Sequence, residues 1–149
     1  MPLLQEKELY TWAASRCARK EHCRSELFTK LLAKGAAKEQ AKDILDRLEE
    51  EDFINEARFA KAYVSDKFRF DHWGRIKIRL SLRQKAVSER ILEEALSTID
   101  EVSYLQALEE FLKKKQASNS AALARAAISR GFEPRLVFRS LEKRNSKIS

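Results

Sequence analysis

Three segments of the chain carry the same apolar skeleton around a glycine-like position, and this repetition narrows the possible folds more than any other feature. They are "ELFTKLLAKGAAKEQAKDILDRL" from Glu26, "KIRLSLRQKAVSERILEEALSTI" from Lys77 and "AALARAAISRGFEPRLVFRSLEK" from Ala121. Aligned on Gly35, Ala86 and Gly131, the position eight residues earlier holds Leu27, Ile78 or Leu123, and the position four earlier holds Leu31, Leu82 or Ala127. Six and ten residues later come Ala41 and Leu45, Leu92 and Leu96, and Val137 and Leu141. Apolar residues spaced by four on both sides of a fixed break describe two helices joined by a tight turn. Helices often end on a left-handed residue, a conformation that glycine adopts without steric cost, so Gly35 and Gly131 read as helix C-terminal caps. Ala86 departs from this: the central unit either turns differently or holds an alanine in left-handed backbone at a cost of roughly 1 kcal/mol. Pro134 falls just inside the helix after the third turn, where its missing N–H costs nothing.

A further helical stretch precedes each pair: "LYTWAASRCARK", "EARFAKAYVSDKF" and "VSYLQALEEFLKK". In the second, Phe59, Ala60, Tyr63 and Val64 form an apolar stripe able to close over the helix pair. The turn positions lie 51 and 45 residues apart, which suits a three-helix unit. With three glycines and two prolines in 149 residues, helix is expected nearly throughout. Only "RIKIRLSL" also fits a strand; Ile76 with Leu80 and Ile78 with Leu82 are equally i,i+4 pairs, and helix is preferred. The expected fold is all-α, an elongated tandem array of three three-helix repeats. Their spans are 1–53 with an N-terminal extension, 54–100, and 101–149 ending in a frayed basic tail.

Charge alternates along this array. Residues 36–56 carry net −5, residues 57–90 net +7, residues 91–110 six acids and no Lys or Arg, and residues 111–149 net +8. With a total of +7, an anionic partner is expected, either nucleic acid or an acidic protein face. No run approaches the roughly 18 apolar residues of a membrane span, and the N-terminus lacks a signal-peptide core, so a cytosolic protein is expected. No heptad seam is long enough to demand a dimer, so a monomer is expected.

The stretch "DKFRFDHWGRIKIRLSLRQKAV" from Asp66 concentrates the cations. Arg75, Arg79 and Arg83 form an i,i+4,i+8 ridge, Lys77 and Lys85 flank it, and Lys67 and Arg69 precede it. Arg58 and Lys61 on the preceding helix are assigned to the same anion-contacting face. A second cationic zone holds Lys113, Lys114 and Lys115, then Arg125, Arg130, Arg135 and Arg139; the lysines of "KKKQASNS" either meet phosphates or belong to a soluble loop. Phe68, Phe70 and Trp73 fit either packing or stacking on unpaired bases, with packing preferred.

No motif for catalysis is present. The chain lacks a Walker-type phosphate loop, His-Glu-x-x-His and Gly-x-Ser-x-Gly, and it holds only two histidines. Glu49, Glu50 and Glu51 read as a solvated helix end. Cys17, His22 and Cys23 fall short of the four ligands of a structural zinc, so two reduced thiols are expected, with no metal and no cofactor.

"DFINEARFAKAYVSDKFRF", "WGRIKI" and "LRQKAV", with "ELFTKLLAKG" upstream, resemble the RecX family of bacterial RecA modulators. The likeness runs from about Leu9 to Lys143 and is densest from Asp52 to Val87. Asn55-Glu56 stands where the family has an acidic pair, and Ala86-Val87 where it has Gly-Ile. The resemblance implies an all-α protein of three-helix repeats, not an enzyme, that lodges in the groove of the RecA filament on single-stranded DNA. It further implies limits on filament growth, ATP hydrolysis, strand exchange and coprotease function. The cationic residues above become the expected filament and DNA contacts, with possible non-specific duplex binding. Two other readings stay open from the residues alone: a helix-turn-helix DNA-binding regulator and a helical scaffold for an acidic protein.

Overall fold

A computed structural model describes residues 5–117 and 119–148, with side chains as far as 145. Nine helices make up the described residues, with no strand among them. They are α1 (Glu6–Arg19), α2 (Arg24–Ala33), α3 (Lys38–Glu50), α4 (Glu56–Arg69), α5 (Arg75–Gln84), α6 (Glu89–Leu96), α7 (Glu101–Lys114), α8 (Ser120–Ser129) and α9 (Pro134–Ile148). The segment "RIKIRLSL" is helical, and Pro134 opens α9. From Glu142 the chain continues α9 to Ile148, and Lys113 and Lys114 close α7, as the helical stretch "VSYLQALEEFLKK" implies, with the rest of "KKKQASNS" beginning at Lys115. The first four residues of the expected N-terminal extension, Ser118 and Ser149 lie outside the described residues.

Helix starts follow side-chain chemistry. Asn55, Ser88, Asp100 and Asn119 each accept a hydrogen bond from the backbone N–H three residues on, satisfying a donor that has no partner inside its helix. The three repeat turns are the same Schellman motif. The N–H groups of Gly35, Ala86 and Gly131 donate to Leu32, Arg83 and Ile128, and those of Ala36, Val87 and Phe132 donate to Leu31, Leu82 and Ala127. Ala86 therefore makes the same turn as its glycine counterparts, at φ 62° against 100° and 103°. An L-residue in that region is strained by roughly 1–2 kcal/mol, part of which glycine gives back through its freer unfolded chain. Ala86→Gly is expected to raise stability by about 1 kcal/mol, seen as a higher urea midpoint at unchanged slope.

Three separate cores result. The first gathers Leu9, Leu27, Leu31, Ile44, Leu45 and Leu48; the second Phe59, Val64, Ile78, Leu82, Leu92 and Leu96; the third Tyr104, Leu108, Leu123, Phe132, Val137 and Leu141. The accessible surface, 9600 Å², exceeds the roughly 7,800 Å² expected of a compact protein of this mass, in keeping with an extended array.

Neighbouring modules dock by one repeated device. The start of a module's middle helix meets the Schellman turn of the next module. At the first junction, Ser25 Oγ donates to the Lys85 carbonyl at 2.6 Å, and the Lys85 ammonium pairs with Glu26 at 2.6 Å. Ten residues before the next turn, at the position equivalent to Ser25, Ile76 N–H donates to the Gly131 carbonyl at 3.0 Å, and Gly74 N–H donates to Arg130 at 2.8 Å. The first backbone N–H of α2 and that of α5 are also satisfied from the next module: Arg24 donates to Glu56 at 2.7 Å, and Arg75 to the Tyr104 hydroxyl at 3.0 Å. Cys23, although it belongs to the first repeat, is fully buried in the second core. Such nearest-neighbour docking is how repeat proteins transmit order along the chain.

Candidate nucleic-acid interface

The arginine ridge on α5 exists as geometry, and its side chains are engaged inside the molecule. Arg79 forms a two-pronged pair with Glu93 of α6, and Arg83 does the same with Glu89. Arg75 reaches across the second junction to Glu133 at 2.7 Å and Glu101 at 3.0 Å, and its guanidinium lies 3.9 Å from the Tyr104 ring centroid. The three therefore face different tasks. Arg79 and Arg83 tie α5 to α6 through exposed carboxylates, solvent-screened pairs that a phosphate can displace. Arg75, only 19% exposed, is a junction residue whose charge is already neutralised.

Other candidates are similarly committed. Arg58 pairs with Glu21 and Asp52 at the first junction, away from the ridge it was assigned to, and Lys85 pairs with Glu26. Burial alone would raise the Glu26 carboxyl, but the Lys85 ammonium outweighs it and holds Glu26 below the usual carboxylate range. Lys67 pairs with Asp71 and lies between the Tyr63 and Trp73 rings, and Lys114 pairs with Glu110. Lys77 sits over Trp73, while Arg130 donates to the Asp71 carbonyl and rests against Phe111. Lys61, Arg69, Lys113, Arg125 and Arg135 are exposed and show no ion pair among the described residues.

The uncommitted cations include a second ridge, in which Lys143 joins Arg135 and Arg139 of the second cationic zone. On α9, Arg135, Arg139 and Lys143 follow one another at i,i+4,i+8, all exposed, beside Phe138, which is 52% exposed. The spacing equals that of Arg75, Arg79 and Arg83 and was visible in the sequence. What differs is the facing helix, since α6 offers Glu89 and Glu93 to α5 while no carboxylate pairs with the α9 ridge among the described residues.

The aromatics of the connection divide as well. Phe68 lies partly buried against both the second and third cores, its ring 5.8 Å from that of Tyr104. Trp73 packs on the second core, and Phe70 is 74% exposed. The acidic run at the end of α3 also has partners: Glu49, with Asp46, holds Arg24, and Glu51 accepts from the Tyr10 hydroxyl. Cys17 and Cys23 are both free thiols, raised above the usual range chiefly by burial. Among the described residues no cluster of three His, Cys, Asp or Glu could hold a metal ion, and no helix is long and apolar enough to cross a membrane.

Comparison with known proteins places this arrangement. Residues 55–96, spanning α4 to α6, match the family model described as RecX, second three-helix domain. The regulatory protein RecX of Prosthecochloris aestuarii is 30% identical over 128 residues, covering 83% of this chain and 85% of that protein. The regulatory protein RecX of Pseudomonas fluorescens is 33% identical over 135 residues, covering 86% of each. The chain belongs to the RecX family. The crystal structure of RecX from Lactobacillus salivarius superposes with a TM-score of 0.81 over 93% of this chain and 95% of that one, at 18% identity, so the RecX fold extends across all three modules. Within that fold, the uncommitted candidate cations stand on the α9 ridge, at Lys61 and Arg69 of α4, at Lys113 near the end of α7 and at Arg125 of α8.

Proposed function

We propose that this chain modulates the RecA recombinase, chiefly as an inhibitor, by binding the RecA filament on single-stranded DNA and limiting its growth, ATP hydrolysis, strand exchange and coprotease activity. The observation that carries this reading is the match, over most of its length, to proteins named regulatory protein RecX. The geometry supports one choice of contacts over another. An extended array presents separated cationic surfaces along its length, as binding to a polyanionic track requires. We assign the primary contacts to Arg135, Arg139 and Lys143 with Lys61, Arg69, Lys113 and Arg125. Arg79 and Arg83 are secondary contacts that exchange Glu93 and Glu89 for phosphate. Arg75, Arg58 and Lys85 act by holding the modules in register. The protein works as a monomer, and any duplex binding is non-specific.

The test is the single-stranded-DNA-dependent ATPase of RecA from the same organism, with this protein added below the RecA concentration. Inhibition at such ratios is expected, and no inhibition while DNA binding persists would overturn the reading in favour of a duplex-binding regulator. The triple replacement of Arg135, Arg139 and Lys143 by alanine is expected to raise the half-inhibitory concentration about tenfold, as the removal of three phosphate-binding cations would at moderate salt. The α6 face argues against duplex reading by the central module, because Glu89, Glu93 and Glu94 on α6, the second helix of the turn-linked pair, would meet the phosphates of a major groove.

A further inference from the structure

A cleft of about 530 Å³ opens between the end of α4 and the flank of α7, where the second and third modules meet. Its floor is aromatic: Phe68, Phe111 and Phe132 all line it, and the Phe111 and Phe132 ring centroids are 6.1 Å apart. Its rim is cationic, with Arg69 from α4, Lys114 at the end of α7 and Lys115 just after it, against a single carboxylate, Glu110, whose pair with Lys114 is solvent-exposed and open to displacement by a phosphate. The side chains of Ser103 and Gln106 supply polar groups on the wall. The volume falls within the range of about 300–1,000 Å³ typical of small-molecule clefts. Packing of the third core explains Phe132, which is buried, but leaves unexplained why partly exposed aromatic surface stays open beside three cations.

We infer that this cleft takes one unpaired nucleotide of a single strand, its base against Phe68 and Phe111 and its phosphate on Arg69, Lys114 and Lys115. A nucleotide joins a flat π-face to a negative charge a few ångströms away, which is the complement of an aromatic floor with a cationic rim. Stacking is tolerant of sequence because every base has such a face. Gln106 and Ser103 offer hydrogen bonds that any base edge can meet. An acidic peptide would satisfy the rim and leave the floor unused. The inference deepens the filament reading and rests on it for the source of the strand, but its test does not require the recombinase.

The experiment measures binding of a fluorescein-labelled oligothymidylate to the full chain by anisotropy at several salt concentrations. Ala107, which lines the cleft, is replaced by Leu to fill it without changing charge, and Lys114 and Lys115 are together replaced by Gln. Ala107→Leu is expected to weaken binding five- to tenfold at unchanged salt slope. The double Gln variant is expected to weaken it and flatten the slope by about 1.4, the value for two single-strand phosphate contacts. An oligonucleotide bearing 4-thiothymidine is expected to crosslink to the peptide containing Phe111 or Phe68, a readout that does not depend on any variant folding. Crosslinks confined to other helices, or both variants binding as wild type, would overturn the inference. Loss of RecA inhibition in Ala107→Leu at unchanged DNA affinity would also overturn it, by assigning the cleft to a side chain of the recombinase. Wild-type protein that binds the oligonucleotide through the cleft yet leaves the RecA ATPase untouched would support the cleft and sink the filament reading instead.

Discussion

Replacing Gly74 by alanine is expected to destabilise the chain by roughly 3 kcal/mol or more, the range of substitutions that force apart well-packed groups with no room to relax. Gly74 precedes α5 and is buried against the turn between α8 and α9. A Cβ there would lie 2.5 Å from the Gly131 carbonyl oxygen and closer still to the peptide behind it. Those atoms are backbone, so no side-chain rotation relieves the clash. Moving them breaks the two hydrogen bonds, from Gly74 and Ile76, that join the modules. The backbone angle at Gly74, φ −81°, is ordinary, so the requirement for glycine is spatial. Gly131 fails on both counts, with φ 103° and an added Cβ 2.5 Å from the Lys77 Cβ. Urea unfolding checks the magnitude, and hydrogen exchange checks the mechanism: the Ile76 amide should lose protection in Gly74→Ala, while amides in the first core keep theirs. A variant with wild-type stability would show that the modules are not locked through this contact.

Arg75→Ala is expected to cost about 2–3 kcal/mol, below the 3–5 of a fully buried broken pair because the site is partly wet. Glu101, 60% exposed, contributes little to that figure; Glu133, 27% exposed, supplies most of it. Removing the guanidinium leaves Glu133 beside the Tyr104 hydroxyl, which donates to it, with no other cation paired to it among the described residues. The same cluster makes stability sensitive to alkali. Burial first, and then the hydrogen bond to Glu133, push the Tyr104 hydroxyl well above the ordinary tyrosine value of 10.0. In the unfolded chain Tyr104 releases its proton near pH 10, while in the folded chain it keeps it. Above that pH the unfolded state binds fewer protons, so stability falls as pH rises, whereas below it the contribution is complete. Urea midpoints measured from pH 8 to 11 should decline from about pH 10 upward. Tyr104→Phe should cost about 1–2 kcal/mol at neutral pH and reduce that decline. Some slope should remain from Tyr10, which is raised in the same direction by its hydrogen bond to Glu51. An unchanged slope in Tyr104→Phe would remove Tyr104 from the explanation.

The candidate interface was less legible than the fold, and α5 shows why. The i,i+4,i+8 arginines were correctly placed on one helix face, because helical periodicity depends on local spacing alone. Whether those arginines are free depends on what the neighbouring helix presents, and Glu89 and Glu93 come from α6, on the far side of a turn. Glu93 lies in the acid-only block 91–110 and Glu89 in the net-basic block 57–90, and block charge does not say which cations a given carboxylate meets. The same spacing recurs on α9, and there Arg135, Arg139 and Lys143 remain uncommitted. The aromatics show a similar division. Phe68 and Trp73 pack while Phe70 does not, a difference decided by where α4 ends and by the position of the third module.

The sequence by itself determined three units of three helices, their repeat turns and their caps, since each follows from interactions between residues a few positions apart. Even Ala86, which lacks the usual glycine, makes the same turn, because Val87 and the surrounding apolar pattern outweigh a strain of about 1 kcal/mol. Tertiary structure alone decided how the units join and which charges are left over. Gly74 against Gly131, Ser25 against Lys85, Cys23 in its neighbour's core and Arg75 between two carboxylates all join residues 26 to 60 positions apart. No local pattern encodes them, because a glycine needed for space, or an arginine needed for a distant carboxylate, resembles any other glycine or arginine until the modules dock.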